Sequence, residues 1–355
     1  MLSNLSFTMD RDQHDSRLNV GIDMGKDKWA VDILDTANGK HKGRMYTGTE
    51  HLLDVCSKIR ELVDLGRPVD VIYEAGRNGF TPARMLQCIG ASVTILPVNK
   101  LEVVKTGKKA KSDRLDARGL AEKDARAVGF PSVWVPSVDQ ECDRRMLREI
   151  ERLRKDIKRN NNRILSIMER WPLPSESSHR TAGQWRAKLK GWRDSELVRE
   201  FFPEVEMACI ENMVVELEVL EKNLDGWEER MDAVLARQRE EAAGRGEHHP
   251  VDVLMQYKGV GERIARGLTW YVGDFHRFSN GKKFASYLGL VPVPWESGRM
   301  RRNQGISKAG NPELRRLMIQ LAWLWLRYQP DSAISKKWEA RMAGRGRSRK
   351  TAIVA

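Results

Sequence analysis

Lys111 to Arg118 reads Lys-Ser-Asp-Arg-Leu-Asp-Ala-Arg and sets two carboxylates, Asp113 and Asp116, three residues apart among bases. Residues spaced i, i+3 share one face of a helix, so both acids can reach one hard metal ion. The surrounding bases favour a polyanionic substrate. Two further acids close short apolar runs: Asp23 ends Leu18-Asn-Val-Gly-Ile-Asp, and Glu74 ends Pro68-Val-Asp-Val-Ile-Tyr-Glu. A set of four such carboxylates suits a two-metal site, in which cations roughly 4 Å apart activate an attacking oxygen and stabilise a leaving one during phosphoryl transfer. Taken singly, each reads as a surface acid; the α/β pattern around them is the reason to expect convergence. The second candidate is Ser297, in Trp-Glu-Ser-Gly-Arg-Met-Arg-Arg. A Gly-flanked serine is ordinarily a turn former, but Arg299, Arg301 and Arg302 beside it have the donor geometry to hold a phosphodiester. Ser307 competes as the nucleophile, although its place before a helix favours a turn or cap.

The elements that must position these groups follow from periodicity. Leu18–Asp23 and Trp29–Leu34 read as a β-hairpin, with 44–47 as a third strand. Residues 51–65 have helical spacing through Leu52, Leu53, Cys56, Ile59 and Val63. A strand over 68–74, a helix over 82–89 and a strand over 91–97 follow, giving an α/β layer with a partly parallel sheet. Ligands collect at the carboxyl ends of such strands, where Asp23 and Glu74 lie. Lys100–Lys111 is a basic, Gly-broken link, and 114–125 continues as a helix. Lys105, Lys108, Lys109 and Lys111 read as a solvated run or, beside two candidate metal ligands, as substrate contacts; the second reading is favoured.

The middle of the chain carries heptads. Met146, Ile150, Leu153, Ile157, Asn160, Ile164 and Ile167 form one seam, and Ile210, Met213, Leu217, Leu220, Leu224, Trp227, Met231 and Val234 another. Both are coiled-coil segments, predicted to pair as a hairpin within the chain or to join two chains, with Asn160 able to fix register. Between them Pro172-Leu-Pro breaks the first helix and a Trp- and Lys-rich stretch leads on. Arg237–Glu241 and Gly244–His249 read as an exposed linker. Beyond it, Tyr257-Lys-Gly-Val-Gly-Glu-Arg-Ile-Ala265 has the form of a helix-hairpin-helix turn, whose backbone N–H groups can meet phosphate. Trp295–Asn311 reads as a polar, basic loop, followed by an amphipathic helix over 314–327 with Arg315 and Arg316 in its first turn.

Composition bounds the partner. The 355 residues carry 62 Lys and Arg against 49 Asp and Glu, a net charge of +13 that points to nucleic acid. Four widely spaced cysteines, without Cys/His ligand spacing, argue against zinc or a disulfide framework. No run of about 18 apolar residues and no signal peptide occurs, so a cytoplasmic, nucleoid-associated protein with no membrane partner is expected.

Two blocks of motifs resemble the DEDD transposases of the insertion sequence 110 and 1111 group. One block is Gly21-Ile-Asp-Met-Gly-Lys-Asp-Lys, Tyr73-Glu-Ala-Gly and Lys111-Ser-Asp-Arg-Leu-Asp-Ala-Arg. The other runs from Gly259-Val-Gly-Glu through Phe284-Ala-Ser-Tyr-Leu-Gly-Leu-Val-Pro, Glu296-Ser-Gly and Ile306-Ser-Lys-Ala-Gly-Asn. The resemblance implies a RuvC-like (RNase H-like) α/β domain over 17–136, an α-helical coiled coil over 137–247 and a mainly α-helical transposase domain over 248–340. A loose tail over 1–16 and a basic tail over 341–355 flank them. It implies that Asp23, Glu74, Asp113 and Asp116 bind Mg²⁺ and that Ser297, not Ser307, attacks a DNA phosphate and becomes joined to it. It also implies a coiled-coil dimer that assembles into a tetramer, with the acids and serine of neighbouring subunits completing one site. A structured bridge RNA would pair with target and donor DNA, leaving the protein to read backbone and shape. The expected nucleic-acid contacts are Lys105, Lys108, Lys109, Lys111, Arg114, Arg299, Arg301, Arg302, Lys308, Arg315 and Arg316. Two departures stand out: the chain ends at Thr351–Ala355, where relatives usually continue into another helix, which leaves truncation and activity of this copy as open questions; and 172–205 is longer and richer in Trp. The alternatives are a junction-resolving nuclease that uses the acids and water alone, and a catalytically silent nucleic-acid-binding protein.

Overall fold

Branched apolar residues at short spacing build the first sheet of the computed structural model, which describes residues 17–47, 51–97, 112–127, 130, 132–171, 179–297 and 300–342, with the side chains of 47, 294–297 and 300–304 excepted. The tail over 1–16, the whole Lys100–Lys111 link and all but the first residues of the basic tail over 341–355 lie outside the described residues. The chain divides into two compact units, Met1–Pro136 and Ser137–Ala355.

In the first unit, β1 (Leu18–Met24), β2 (Lys28–Asp35), β3 (Lys40–Thr47), β4 (Val69–Glu74) and β5 (Ser92–Leu96) form a mixed sheet in the order β3-β2-β1-β4-β5. The β1–β2 and β2–β3 pairs are antiparallel, and the β1–β4 and β4–β5 pairs are parallel. Successive side chains of a strand point to opposite faces. Leu18, Val20, Ile22, Val69, Val71 and Tyr73 are buried with Val55, Ile59 and Leu62 of α1 (His51–Val63) and with Ala83 and Leu86 of α2 (Thr81–Cys88). The other face carries α3 (Asp113–Ala121), whose Leu120 packs with Ile72 and Leu96. Expected strand and helix positions agree closely with these elements, except that α3 stops at Ala121 rather than running to 125.

The second unit is mainly helical. The long helices α4 (Val138–Arg170) and α7 (Glu204–Gly244) run antiparallel along their apolar seams: Asp143 accepts a hydrogen bond from Gln238, Asn160 Nδ2 donates to the Met213 carbonyl at 3.1 Å, and Arg170 pairs with Glu206. The two heptad seams therefore meet within one chain. At the distal end, α5 (Ala182–Asp194) and α6 (Glu196–Phe201) fold the Trp-rich stretch back onto the pair, burying Trp185 and Trp192 against Ile164, Ile167, Ile210 and Val214. Trp185 Nε1 donates to Asn161 Oδ1 at 2.9 Å. At the proximal end, Met146, Ile150, Met231 and Leu235 share a core with α8 (Pro250–Met255), α9 (Glu262–Val272) and α11 (Pro312–Tyr328), while α10 (Gly281–Tyr287) adds Phe284 and α12 (Ala333–Met342) closes the described chain.

Two expectations are corrected here. The charged run Arg237–Glu241 lies inside α7, because its partners Asp143 and Asp252 hold Gln238 and Arg239 on a continuous helix. The segment after Pro292 is not a loop. It forms a hairpin of β6 (Pro292–Ser297) and β7 (Met300–Ile306), and a two-stranded ribbon has only edges, where prolines 292 and 294 are tolerated.

Candidate active site

The carboxylates of the first unit are positioned by register. In the β1–β4 pair Ile22 lies opposite Tyr73, so the next residues, Asp23 and Glu74, stand side by side at the carboxyl ends of adjacent parallel strands. Each lies two residues beyond a position that faces α3. Gly21 is in direct contact with α3, and Ile72 packs with Leu120. Period-two alternation therefore puts Asp23 and Glu74 on the α3 side of the sheet, and both are half-buried.

Gly21 makes this arrangement possible. A Cβ built there would fall 2.0 Å from the Ala117 carbonyl oxygen, 2.5 Å from the Ala121 nitrogen and 2.8 Å from Leu120 Cβ, so α3 lies on β1 as closely as backbones allow. Ser112 caps α3, its side chain accepting from the Leu115 N–H at 3.3 Å. Asp113 and Asp116 occupy the first turn, where the helix dipole stabilises negative charge. Asp113 is half-buried and its Oδ2 pairs with Lys28 Nζ at 2.9 Å, while Asp116 is exposed.

Sequence reading missed two groups that pair with acids of α3 and its C-cap. Lys28 opens β2 and reaches the N-terminal end of α3. At the opposite end, His41 Nδ1 lies 2.6 Å from buried Asp32 Oδ2, and its Nε2 lies 3.6 Å from Glu122 at the C-cap of α3. Only the cross-strand register, with Asp32 opposite both Gly21 and Gly43, places that acid on the α3 face. The donors are all carboxylate oxygens, the type a hard divalent cation prefers. Among the described residues, no three His, Cys, Asp or Glu side chains stand close enough together to hold an ion.

In the second unit, Ser297 is the last residue of β6, opposite Met300, with Glu296 opposite Arg301 and Trp295 opposite Arg302. The serine thus closes β6 at the tip of the ribbon. Arg299, like Lys105, Lys108, Lys109 and Lys111, lies outside the described residues. The base of the ribbon is fixed by close backbone contact: a Cβ on Gly289 would sit 2.6 Å from the Gly310 nitrogen, and one on Gly310 would sit 2.1 Å from the Tyr287 carbonyl oxygen. The Tyr287-Leu-Gly and Ser307-Lys-Ala-Gly motifs interlock there, with Lys308 held at φ 56° and its N–H donating to the Gly289 carbonyl at 3.0 Å. A non-glycine residue in this left-handed region is strained.

Ser307 does not cap α11. That role belongs to Asn311, whose Oδ1 accepts from the N–H groups of Glu313 at 2.9 Å and Leu314 at 3.3 Å. Arg315 donates to the carbonyls of Leu288 and Gly310, and Arg316 pairs with Glu313 at 2.9 Å and Glu151 at 3.1 Å, so both have partners within the protein. Arg114 is exposed on α3. Between α8 and α9, Gly259 at φ 94° lies against Leu324 of α11.

The Transposase IS116/IS110/IS902 family pattern matches residues 251–339, a span that includes Ser297. The chain is similar to y4rJ, a protein of Sinorhizobium fredii that carries the name transposase, with 30% identity over 94% of this chain and 87% of that protein. It is also similar to the transposase for insertion sequence element IS1533 of Leptospira borgpetersenii, 24% identical over 86% of this chain and 85% of the relative. The transposase for IS1111A of Coxiella burnetii is 28% identical over 64% of this chain and 58% of its own length.

Proposed function

The chain belongs to the IS116/IS110/IS902 family of insertion-sequence transposases, and on that premise we propose that it cuts and rejoins DNA strands through Ser297, with Asp23, Glu74, Asp113 and Asp116 holding Mg²⁺. The observation that carries this reading is the placement of Asp23 and Glu74 side by side at adjacent parallel strand ends, on the face where α3 presents Asp113 and Asp116. The mixed sheet flanked by helices on both faces supports a RuvC-like identity for the first unit.

In the proposed reaction Ser297 Oγ attacks phosphorus. A serine–phosphate bond forms, the bond from phosphorus to a deoxyribose oxygen breaks, and that oxygen leaves with a proton. A strand hydroxyl then attacks the same phosphorus, releasing the serine and restoring a phosphodiester. Mg²⁺, when bound, supplies charge stabilisation to the phosphoryl oxygens and to the leaving oxygen. The residues of the chain orient these parts: Gly21 lets α3 approach, and Lys28 balances the charge of Asp113. A structured bridge RNA pairing with donor and target DNA, and a dimer or tetramer that brings acids and serine together from different subunits, complete the proposal. The +13 net charge supports binding to these polyanions.

The test is cleavage of supercoiled DNA by the full chain with its copurifying RNA and Mg²⁺. Asp23→Asn should abolish cleavage while leaving the fold intact. Cleavage by Asp23→Asn at the wild-type rate would remove the carboxylates from the reaction, and cleavage retained in Ser297→Ala would favour a nuclease using the acids and water.

A further inference from the structure

We propose that the outward face of α4 is a contact surface for the sugar–phosphate backbone of duplex DNA. The inference rests on the reading of the chain as a DNA transposase, and it concerns residues that neither the heptad pattern nor the family motifs single out.

Arg145, Arg148, Arg152, Lys155, Arg159 and Arg163 follow one another at steps of three and four residues, and all six are exposed. At 3.6 residues per turn they fall in a sector of about 80°. That sector lies away from the seam of Met146, Ile150, Leu153 and Ile164, which faces α7 and the two cores. A solvated helix face ordinarily mixes both signs of charge, whereas this row keeps one sign over five successive steps. Acids stand only at its margin: Arg152 pairs with Glu149 at 2.6 Å and Asp156 at 2.8 Å, Arg159 with Asp156 at 2.9 Å, and Lys155 with Glu313 at 2.6 Å. Exposed pairs of this kind are weak, and a phosphate can replace the carboxylate. Arg145, Arg148 and Arg163 make no ion pair with any described residue.

The shape of the row selects its occupant. The eighteen residue steps from Arg145 to Arg163 rise about 27 Å along a straight helix. One strand of a duplex places a phosphate every 3.4 Å or so of axis, so the row has the axial length of about eight base pairs. A rod of arginines offers no pocket for a base or a small anion, and guanidinium groups match phosphate geometry. The contact is therefore with backbone and independent of sequence.

The test uses the full-length protein and a 30-base-pair DNA duplex, with affinity measured by fluorescence anisotropy from about 50 to 300 mM salt. The variant is Arg145→Gln/Arg148→Gln/Arg163→Gln, which leaves every recorded ion pair of α4 in place. A control, Lys222→Gln/Arg230→Gln/Arg237→Gln, removes three exposed charges from α7 instead. Three lost contacts should lower the slope of log affinity against log salt by about 2.7 and weaken binding at least about tenfold at 100 mM, with the control much less affected. Equal behaviour of the two variants, both shown folded by circular dichroism, would overturn the proposal. A deficit confined to an RNA duplex of the same length would also overturn it. Failure of the wild-type protein to bind DNA at all would instead bring down the function on which the proposal rests.

Discussion

Gly21→Ala should disable the carboxylate site without touching a carboxylate. The added Cβ would lie 2.0 Å from the Ala117 carbonyl oxygen and 2.8 Å from Leu120 Cβ, and all three of its nearest neighbours are on α3. Ordinary contact needs about 3.5 Å, so α3 must retreat from β1 by roughly 1 Å or more. Overpacking of this kind costs about 1–3 kcal/mol, and misplacement of catalytic groups by about 1 Å can cost 10²-fold in rate. Asp113 and Asp116 ride on the displaced helix, whereas Asp23 and Glu74 stay on the sheet. The expected result is a folded protein with a lower melting temperature, weaker Mn²⁺ binding by calorimetry and a roughly hundredfold loss of Mg²⁺-dependent DNA cleavage. Gly119→Ala on the same helix is the control, since a Cβ there meets nothing within 4 Å. It should stabilise the helix by about 0.5–1 kcal/mol and preserve cleavage. Gly21→Ala with wild-type metal affinity and cleavage would refute the claim that close packing of α3 assembles the site.

Lys28→Met should tighten Mn²⁺ binding, because the ammonium that pairs with Asp113 at 2.9 Å competes with any added cation; weaker binding by calorimetry would show that Lys28 helps to build the site rather than neutralising it. His249 caps α8 by accepting from the Val251 N–H at 3.3 Å, and burial lowers its pKa below the usual histidine value of 6.5. The unfolded chain then binds the proton more readily than the folded one, so this contribution to stability is complete above about pH 6.5 and is lost as pH falls toward the lowered value. Melting temperatures measured from pH 8 to 5 should drop less steeply in His249→Asn, which retains a capping side chain without titrating.

The first unit was largely legible because its strands carry apolar runs that end in acids, and the spacing of Leu52, Cys56, Ile59 and Val63 marks α1 directly. Placing Asp23 beside Glu74 needed the parallel β1–β4 register, which no local pattern encodes. The role of Gly21 was hidden for a related reason: a glycine in a strand looks the same whether it meets solvent or a helix backbone. In the second unit the heptads were plain, but they drew attention to the inward face of α4 and away from its arginine row. The ribbon bearing Ser297 escaped detection because its prolines and its Met-Arg-Arg-Asn-Gln run lack the alternation of a half-buried strand. Trp185 and Trp192 lie in a stretch read only as a connection, although Thr181 and Gln184 form a capping box at the start of α5.

The most direct test of the account is to trap a covalent protein–DNA adduct by denaturing a cleavage reaction of the full chain, supplied with Mg²⁺ and its copurifying RNA. The account predicts an adduct whose nucleoside phosphate maps to Ser297 by mass spectrometry and which is absent in both Ser297→Ala and Asp23→Asn. An adduct that survives Ser297→Ala, or one that maps to another residue, would contradict it.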